Sequence, residues 1–160
     1  MVYLYLHLGL SRPVEITRGP VGPLLLLYKQ HRGAYHHIGP VIREVELWAL
    51  NKNIPCSKTF GEYLDDPDAV DQDRLRSRGG CVLTVLPNGM APEGFEVSRI
   101  PQKEYVIAHF RGSPAAGPLT VYPAVKKYFS ENRLVYPPTV IEIYSVNGPD
   151  VLTEYLFLLP

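Results

Sequence analysis

Apolar and polar residues alternate with period two in several short stretches of this chain and recur at helical spacing in two longer ones. Period two marks strands, and a 3.6-residue period marks amphipathic helices. Met1–Leu10 alternates strictly, with Val2, Leu4, Leu6, Leu8 and Leu10 on one side and Tyr3, Tyr5 and His7 on the other. It falls far short of the ~20 apolar residues of a membrane span. It also lacks the basic start and small-residue cleavage site of a signal peptide. Residues 1–13 therefore read as an apolar segment set apart from a domain over 14–160, either an extra edge strand or the remnant of a membrane anchor.

Strands are predicted at Val14–Thr17 and Leu24–Gln30, separated by Gly-Pro turn signals at 19–20 and 22–23. A helix is predicted over Ile38–Asn51, where Ile38, Val41, Ile42, Val45 and Trp48 share one face and Pro40 sits in the first turn. Strands follow at Thr59–Leu64 and Cys81–Leu86, with an acidic, turn-rich loop between them. The same order returns: strands at Phe95–Ile100 and Tyr105–Phe110, then a helix at Leu119–Glu131 with Tyr122, Val125, Tyr128 and Phe129 on one face and Pro123 early. A hairpin of Val140–Ser145 and Val151–Leu159 turns at Asn147-Gly148.

The recurrence extends to residues. Val14-Glu15-Ile16-Thr17-Arg18-Gly19-Pro20 is echoed by Phe95-Glu96-Val97-Ser98-Arg99-Ile100-Pro101, and Lys29-Gln30-His31-Arg32-Gly33 by Ala108-His109-Phe110-Arg111-Gly112. Phe60-Gly61-Glu62-Tyr63 aligns with Ile141-Glu142-Ile143-Tyr144, and Val82–Pro87 with Tyr155–Pro160. Matches in one order imply two half-repeats, 14–87 and 95–160, joined by a linker at 87–94 and related by a pseudo-twofold. The predicted class is α+β: a tandem strand–helix–strand–strand repeat with antiparallel sheets and helices on one side. The helix-free sheet face is expected to meet water, a partner or a ligand.

Composition narrows the function. At 160 residues the chain fits one domain. Its 16 basic side chains are balanced by 16 acidic ones, so no surplus of cations points to direct nucleic-acid binding. Arg74, Arg76 and Arg78 follow an acidic run and read as a self-compensating, solvated loop. Cys56 and Cys81 form no C-x-x-C pair and read as two free thiols in a reducing compartment. His31, His36 and His37 fit no zinc spacing. No nucleophile-elbow, Walker, H-E-x-x-H or dinucleotide motif is present, so the residues call for no metal or cofactor.

Glu142 is the outstanding candidate. In Val140-Ile141-Glu142-Ile143-Tyr144, alternation places Glu142 and Tyr144 on one face and Ile141 and Ile143 on the other. A carboxylate between apolar neighbours is costly unless paired or hydrogen-bonded. It reads either as an acid at the floor of a hydrophobic pocket or as an edge-strand Glu that reaches solvent or a cation. Tyr63 is the repeat mate of Tyr144, and the two stand to line one cleft from opposite sides or to be ordinary strand aromatics. Trp48 and Tyr122 lie on the apolar helix faces, as core residues or as cleft walls.

His31-Arg32-Gly33-Ala34-Tyr35-His36-His37-Ile38-Gly39 resembles the segment leading into the first helix of GyrI-like domains. Tyr63-Leu64-Asp65-Asp66-Pro67 is similar to a turn of that family, and Glu142-Ile143-Tyr144 to its late strand. Within the family, Val14–Thr17 and Val121-Tyr122-Pro123-Ala124 through Tyr144 resemble the testis-expressed member of the endoplasmic-reticulum membrane that serves as an ER-phagy receptor.

The resemblance implies an effector-binding fold with a central cleft that holds a lipophilic, often cationic small molecule or a protein partner. Glu142 contacts the ligand in that picture, with Tyr63, Tyr144, Trp48 and Tyr122 around it. Some family members hydrolyse cyclopropane-bearing DNA alkylators, and in that alternative Glu142 is the catalytic residue. A further alternative is a receptor domain tethered to a membrane through a longer N-terminal anchor. The expected location is the cytoplasm, or the cytosolic face of the endoplasmic reticulum if anchored.

Overall fold

The computed structural model describes residues 13–88 and 93–160. The alternating segment Met1–Leu10 and the middle of the predicted linker lie outside these residues. Eight strands and two helices follow in the order β1 (Glu15–Val21), β2 (Leu24–Arg32), α1 (Ile38–Asn51), β3 (Lys58–Tyr63), β4 (Arg76–Leu83), β5 (Glu96–Ile100), β6 (Lys103–Arg111), α2 (Gly117–Glu131), β7 (Val140–Asn147) and β8 (Asp150–Leu158).

All eight strands join one antiparallel sheet in the order β1-β6-β8-β7-β3-β4-β2-β5. Exchanging each strand for its repeat mate turns this order into its own reverse, as a twofold between β3 and β7 requires. The first strand of each half crosses to the other half, β1 onto β6 and β5 onto β2. Both helices end in the same motif. Asn53 and Arg133 adopt positive φ, while Ile54 N–H donates to Ala49 O and Leu134 N–H to Phe129 O. These bonds satisfy carbonyls that a helix end leaves open.

Each helix covers one half of one sheet face. Val45 and Ala49 of α1 pack on Leu25, Leu27, Cys81 and Leu83, with Trp48 against their edge. Val121, Val125 and Phe129 of α2 pack on Val106, Ala108, Phe110, Val140, Tyr155 and Phe157. The β3–β7 seam runs between these two clusters.

The opposite face, expected to meet water, a partner or a ligand, is covered by the sheet itself. The sheet curls into a half-barrel and closes over Leu26, Tyr28, Phe60, Tyr105, Ile141, Ile143 and Leu156. Phe60 is fully buried and Leu26 is 1% exposed. The curl brings the β1–β2 turn against the β5–β6 turn, where a Cβ on Gly22 would stand 3.2 Å from Gln102 Cα. With φ at 106°, Gly22 also occupies a conformation that favours glycine.

Several boundaries differ from the sequence expectation. β1 runs through Gly19-Pro20, so only the turn at 22–23 is used. β4 begins at Arg76, which places Arg76 and Arg78 in a strand instead of a loop. Its first helix-facing positions, Ser77, Gly79 and Cys81, are small, and a Cβ on Gly79 would stand 2.8 Å from the Ile42 side chain, so period two is hidden there. Arg76 pairs with Asp65 at 2.7 Å and Arg78 with Glu62 at 3.2 Å. α2 starts two residues early, which leaves Pro123 inside the helix. The cysteines are not free: Cys56 and Cys81 form a disulfide with Cα atoms 5.6 Å apart. No local motif announces the bridge, because β3–β4 pairing sets Cys81 opposite Thr59, three residues beyond Cys56.

Candidate functional site

The cross-strand register builds the site. Gly61 on β3 stands opposite Glu142 on β7, Thr59 opposite Tyr144, and Tyr63 opposite Val140. On the other side of β7, Tyr155 of β8 is the partner of Glu142 and Thr153 that of Tyr144. Facing residues in an antiparallel pair share one side of the sheet. Val140 and Tyr155 pack under α2, so this is the helix-bearing side. Ile141 and Ile143 point into the half-barrel.

Glu142 is 4% exposed. Tyr122 of α2 donates its hydroxyl to Glu142 Oε1 at 2.6 Å, and Tyr144 donates to Oε2 at 2.8 Å. The Tyr63 and Tyr144 hydroxyls meet at 2.9 Å. With Glu142 ionised, the single O–H of Tyr144 is donated to the carboxylate, so Tyr63 is the donor in this last bond. The result is a row from Tyr63 through Tyr144 and Glu142 to Tyr122, crossing the seam from one half-repeat into the other.

Burial dominates the electrostatics. It pushes the Glu142 carboxyl from 4.5 up to about 7, against the two hydroxyl bonds that pull it down. Burial, then the nearby Glu142 charge, drives the Tyr63, Tyr122 and Tyr144 hydroxyls upward, so all remain protonated donors at neutral pH. Among the described residues, the groups bonded to Glu142 are hydroxyls, and no cation is paired with it. Charge compensation is therefore missing where it matters most.

Four of the five residues singled out from sequence meet here: Glu142, Tyr144, Tyr63 and Tyr122. Trp48 does not. Its ring packs on Phe95, with centroids 5.3 Å apart, in the cluster under α1. Sequence reasoning missed three neighbours. Tyr35 meets the Tyr63 ring edge-on at 4.8 Å, and its hydroxyl bridges Asp65 N–H and C=O at 2.9 and 2.7 Å. Tyr136 feels the charges of both Asp66 and Glu142. Tyr155 is fully buried beside Glu142, with a hydroxyl that has no hydrogen-bond partner among the described residues. Tyr35 lies in the segment that resembles the family. Tyr136 and Tyr155 are named only by register and by packing.

Glu142 and Tyr155 are buried at the seam, and Tyr35, Tyr63, Tyr122, Tyr136 and Tyr144 are each half-buried around them. Two shallow depressions lie elsewhere, one beside Glu15, His109 and Arg111 and one beside Leu47, Leu50 and Pro55. Among the described residues, no cluster of His, Cys, Asp and Glu is placed to hold a metal, and no helix is long and apolar enough to cross a membrane.

Comparison with known proteins gives a consistent picture. The profile of the GyrI-like small molecule binding domain matches residues 16–158. A DNA gyrase inhibitor from Enterobacter lignolyticus is 29% identical over 87 residues, 48% of this chain. The match takes in 54% of that relative, so the chain spans about half its length. The crystal structure of the EcmrR C-terminal domain superposes with a TM-score of 0.67 at 13% identity, covering 92% of this chain and 98% of that one. SAV2435 bound to tetraphenylphosphonium superposes with a TM-score of 0.57 at 12% identity, covering 91% and 94%. At these identities the structures establish a shared fold: an eight-stranded antiparallel half-barrel with two helices.

Proposed function

Since the chain belongs to the GyrI-like small molecule binding domain family, we propose that it binds a lipophilic cation at the β3–β7 seam. Glu142 is the counter-charge, and Tyr122 and Tyr144 hold the carboxylate and wall the ligand. Trp48 has no part in this site. The reading is carried by one observation: a buried acid whose only bonded partners among the described residues are hydroxyls.

A buried carboxylate without a cation is unfavourable, and a ligand that supplies the cation relieves the penalty. Attraction between the charges is strong because the seam is shielded from water. Tyrosine faces add cation–π attraction for a cation that has shed its hydration. A lipophilic cation gives up little hydration on entry, whereas a small ammonium gives up much. The tetraphenylphosphonium held by SAV2435 belongs to this chemical class.

Cation binding favours the ionised acid, so below about pH 7 it expels the Glu142 proton. Affinity should rise with pH and level off above that point. Calorimetric titration with tetraphenylphosphonium at pH 8 tests the reading. Glu142→Gln should weaken binding at least about 30-fold, the loss expected when one member of a buried charge pair is neutralised. Equal affinity of the two proteins would remove Glu142 from the site.

A further inference from the structure

We propose that Tyr63 is a resident plug of the seam, whose ring fills an aryl-sized slot over Gly61 that a ring of the ligand takes when Tyr63 swings out. The inference rests on the reading of the seam as a cation site and narrows the ligand to aryl-bearing cations.

The pseudo-twofold makes the slot visible. Glu142 and Gly61 are repeat mates and also stand directly opposite each other across the axis. One half supplies a carboxylate at this position and the other supplies no side chain. Tyr63 takes up the vacancy by folding back over its own strand. Its Oη lies 2.7 Å, its Cζ 3.0 Å and its Cε2 3.2 Å from the point where a Cβ on Gly61 would stand. A ring can rest there only because residue 61 is glycine.

Tyr63 is also the member of the row that is held least. Tyr122 and Tyr144 each donate to a carboxylate oxygen, and such charge-assisted bonds are roughly twice as strong as neutral ones. Tyr63 makes one hydroxyl–hydroxyl bond and one edge contact with Tyr35. Its side chain is half-buried, as are those of Tyr122 and Tyr144, so the difference lies in the bonds and not in exposure. Tyr35 is fixed by two bonds to the Asp65 backbone and stays in place as a wall. When Tyr63 leaves, Tyr144 keeps its bond to Glu142 and the flat floor at Gly61 is exposed beside the acid. An aryl group that enters there restores the lost ring packing while its cationic centre approaches Glu142.

A closed majority state lowers apparent affinity by the fraction of molecules that are open. Removing the plug should therefore tighten binding, which an ordinary wall residue would not do. The test uses the full chain, with tetraphenylphosphonium and tetrabutylphosphonium as probes of equal charge. Tyr63→Ala should bind tetraphenylphosphonium about tenfold more tightly than the unaltered protein, the scale of one neutral hydrogen bond and its ring packing. Tyr63→Phe, which keeps the ring but frees it from Tyr144, should show a smaller gain and controls for loss of folding in the alanine variant. The gain should be larger for the aryl cation than for the alkyl one. Stopped-flow binding to the unaltered protein should saturate at an opening rate, and Tyr63→Ala should remove that plateau.

Unchanged or weaker aryl binding in both variants, while Glu142→Gln still weakens capture, would make Tyr63 a wall and overturn the plug alone. Tetraphenylphosphonium binding that is absent throughout, or indifferent to Glu142, would overturn the site and the plug together.

Discussion

Replacing Glu142 by glutamine keeps the side-chain shape and removes the ionisable group. In the folded chain the carboxyl is 4% exposed and burial raises its pKa from 4.5 to about 7. The folded protein therefore holds a proton between those values that the unfolded chain has released. Stability from this source is fully present below about pH 4.5 and is lost as pH rises to about 7. At about 1.36 kcal/mol per pH unit, the loss amounts to roughly 3 kcal/mol. The glutamine side chain cannot ionise, so the Glu142→Gln variant loses nothing from this source. Urea unfolding followed by circular dichroism at pH 5, 6, 7 and 8 reads the difference as a shift in midpoint at constant slope. Because pH 5 already lies above 4.5, the variant should gain roughly 2–3 kcal/mol on the unaltered protein between pH 5 and pH 8. Comparing the two proteins cancels every other titrating group. Saturating tetraphenylphosphonium should shrink the gap at pH 8, because the bound cation favours the ionised form. Parallel stability curves across this range, with no ligand present, would show that Glu142 is solvated and that the electrostatic account of the seam is wrong.

The remaining predictions concern the frame around the site. Reducing the Cys56–Cys81 bridge, or making Cys56→Ser, should lower stability by roughly 3 kcal/mol for a sequence separation of 25 residues; a midpoint indifferent to reductant would contradict the bridge. Tyr35→Phe leaves the Asp65 N–H and C=O without their shared hydroxyl, at a cost of about 1–2 kcal/mol. Amide exchange at Asp65 should speed up in that variant, and unchanged protection would show that the hydroxyl does not fix this loop.

The helices and most strands were legible because their signals are local. Ile38–Asn51 agrees with its expected limits, since five apolar positions at helical spacing run from Ile38 to Trp48, with a proline in the first turn and a turn-forming segment after the last. The repeat was legible as well, from residue echoes that the strand order then obeys. β4 was harder to delimit because the side that packs on α1 carries Gly79, and close approach of a helix removes the apolar signature of a buried strand. Glu142 stood out as a charge between two isoleucines. Trp48 looked equally suited to a cleft, but the rotation of α1 turns it toward Phe95.

By itself, the sequence determined which segments become strands and helices, that the halves are duplicated, and that one acid sits where acids are costly. Periodicity and repetition are properties of neighbouring residues and need no third dimension. Only the tertiary structure decided that β1 and β5 trade halves, that the sheet curls closed over its helix-free face, and that two cysteines meet. It also decided that Tyr63, Tyr122 and Tyr144, drawn from three separate elements, form one row with Glu142. Each of these depends on register between strands distant in the chain, where a slip of one residue would turn every side chain to the other face.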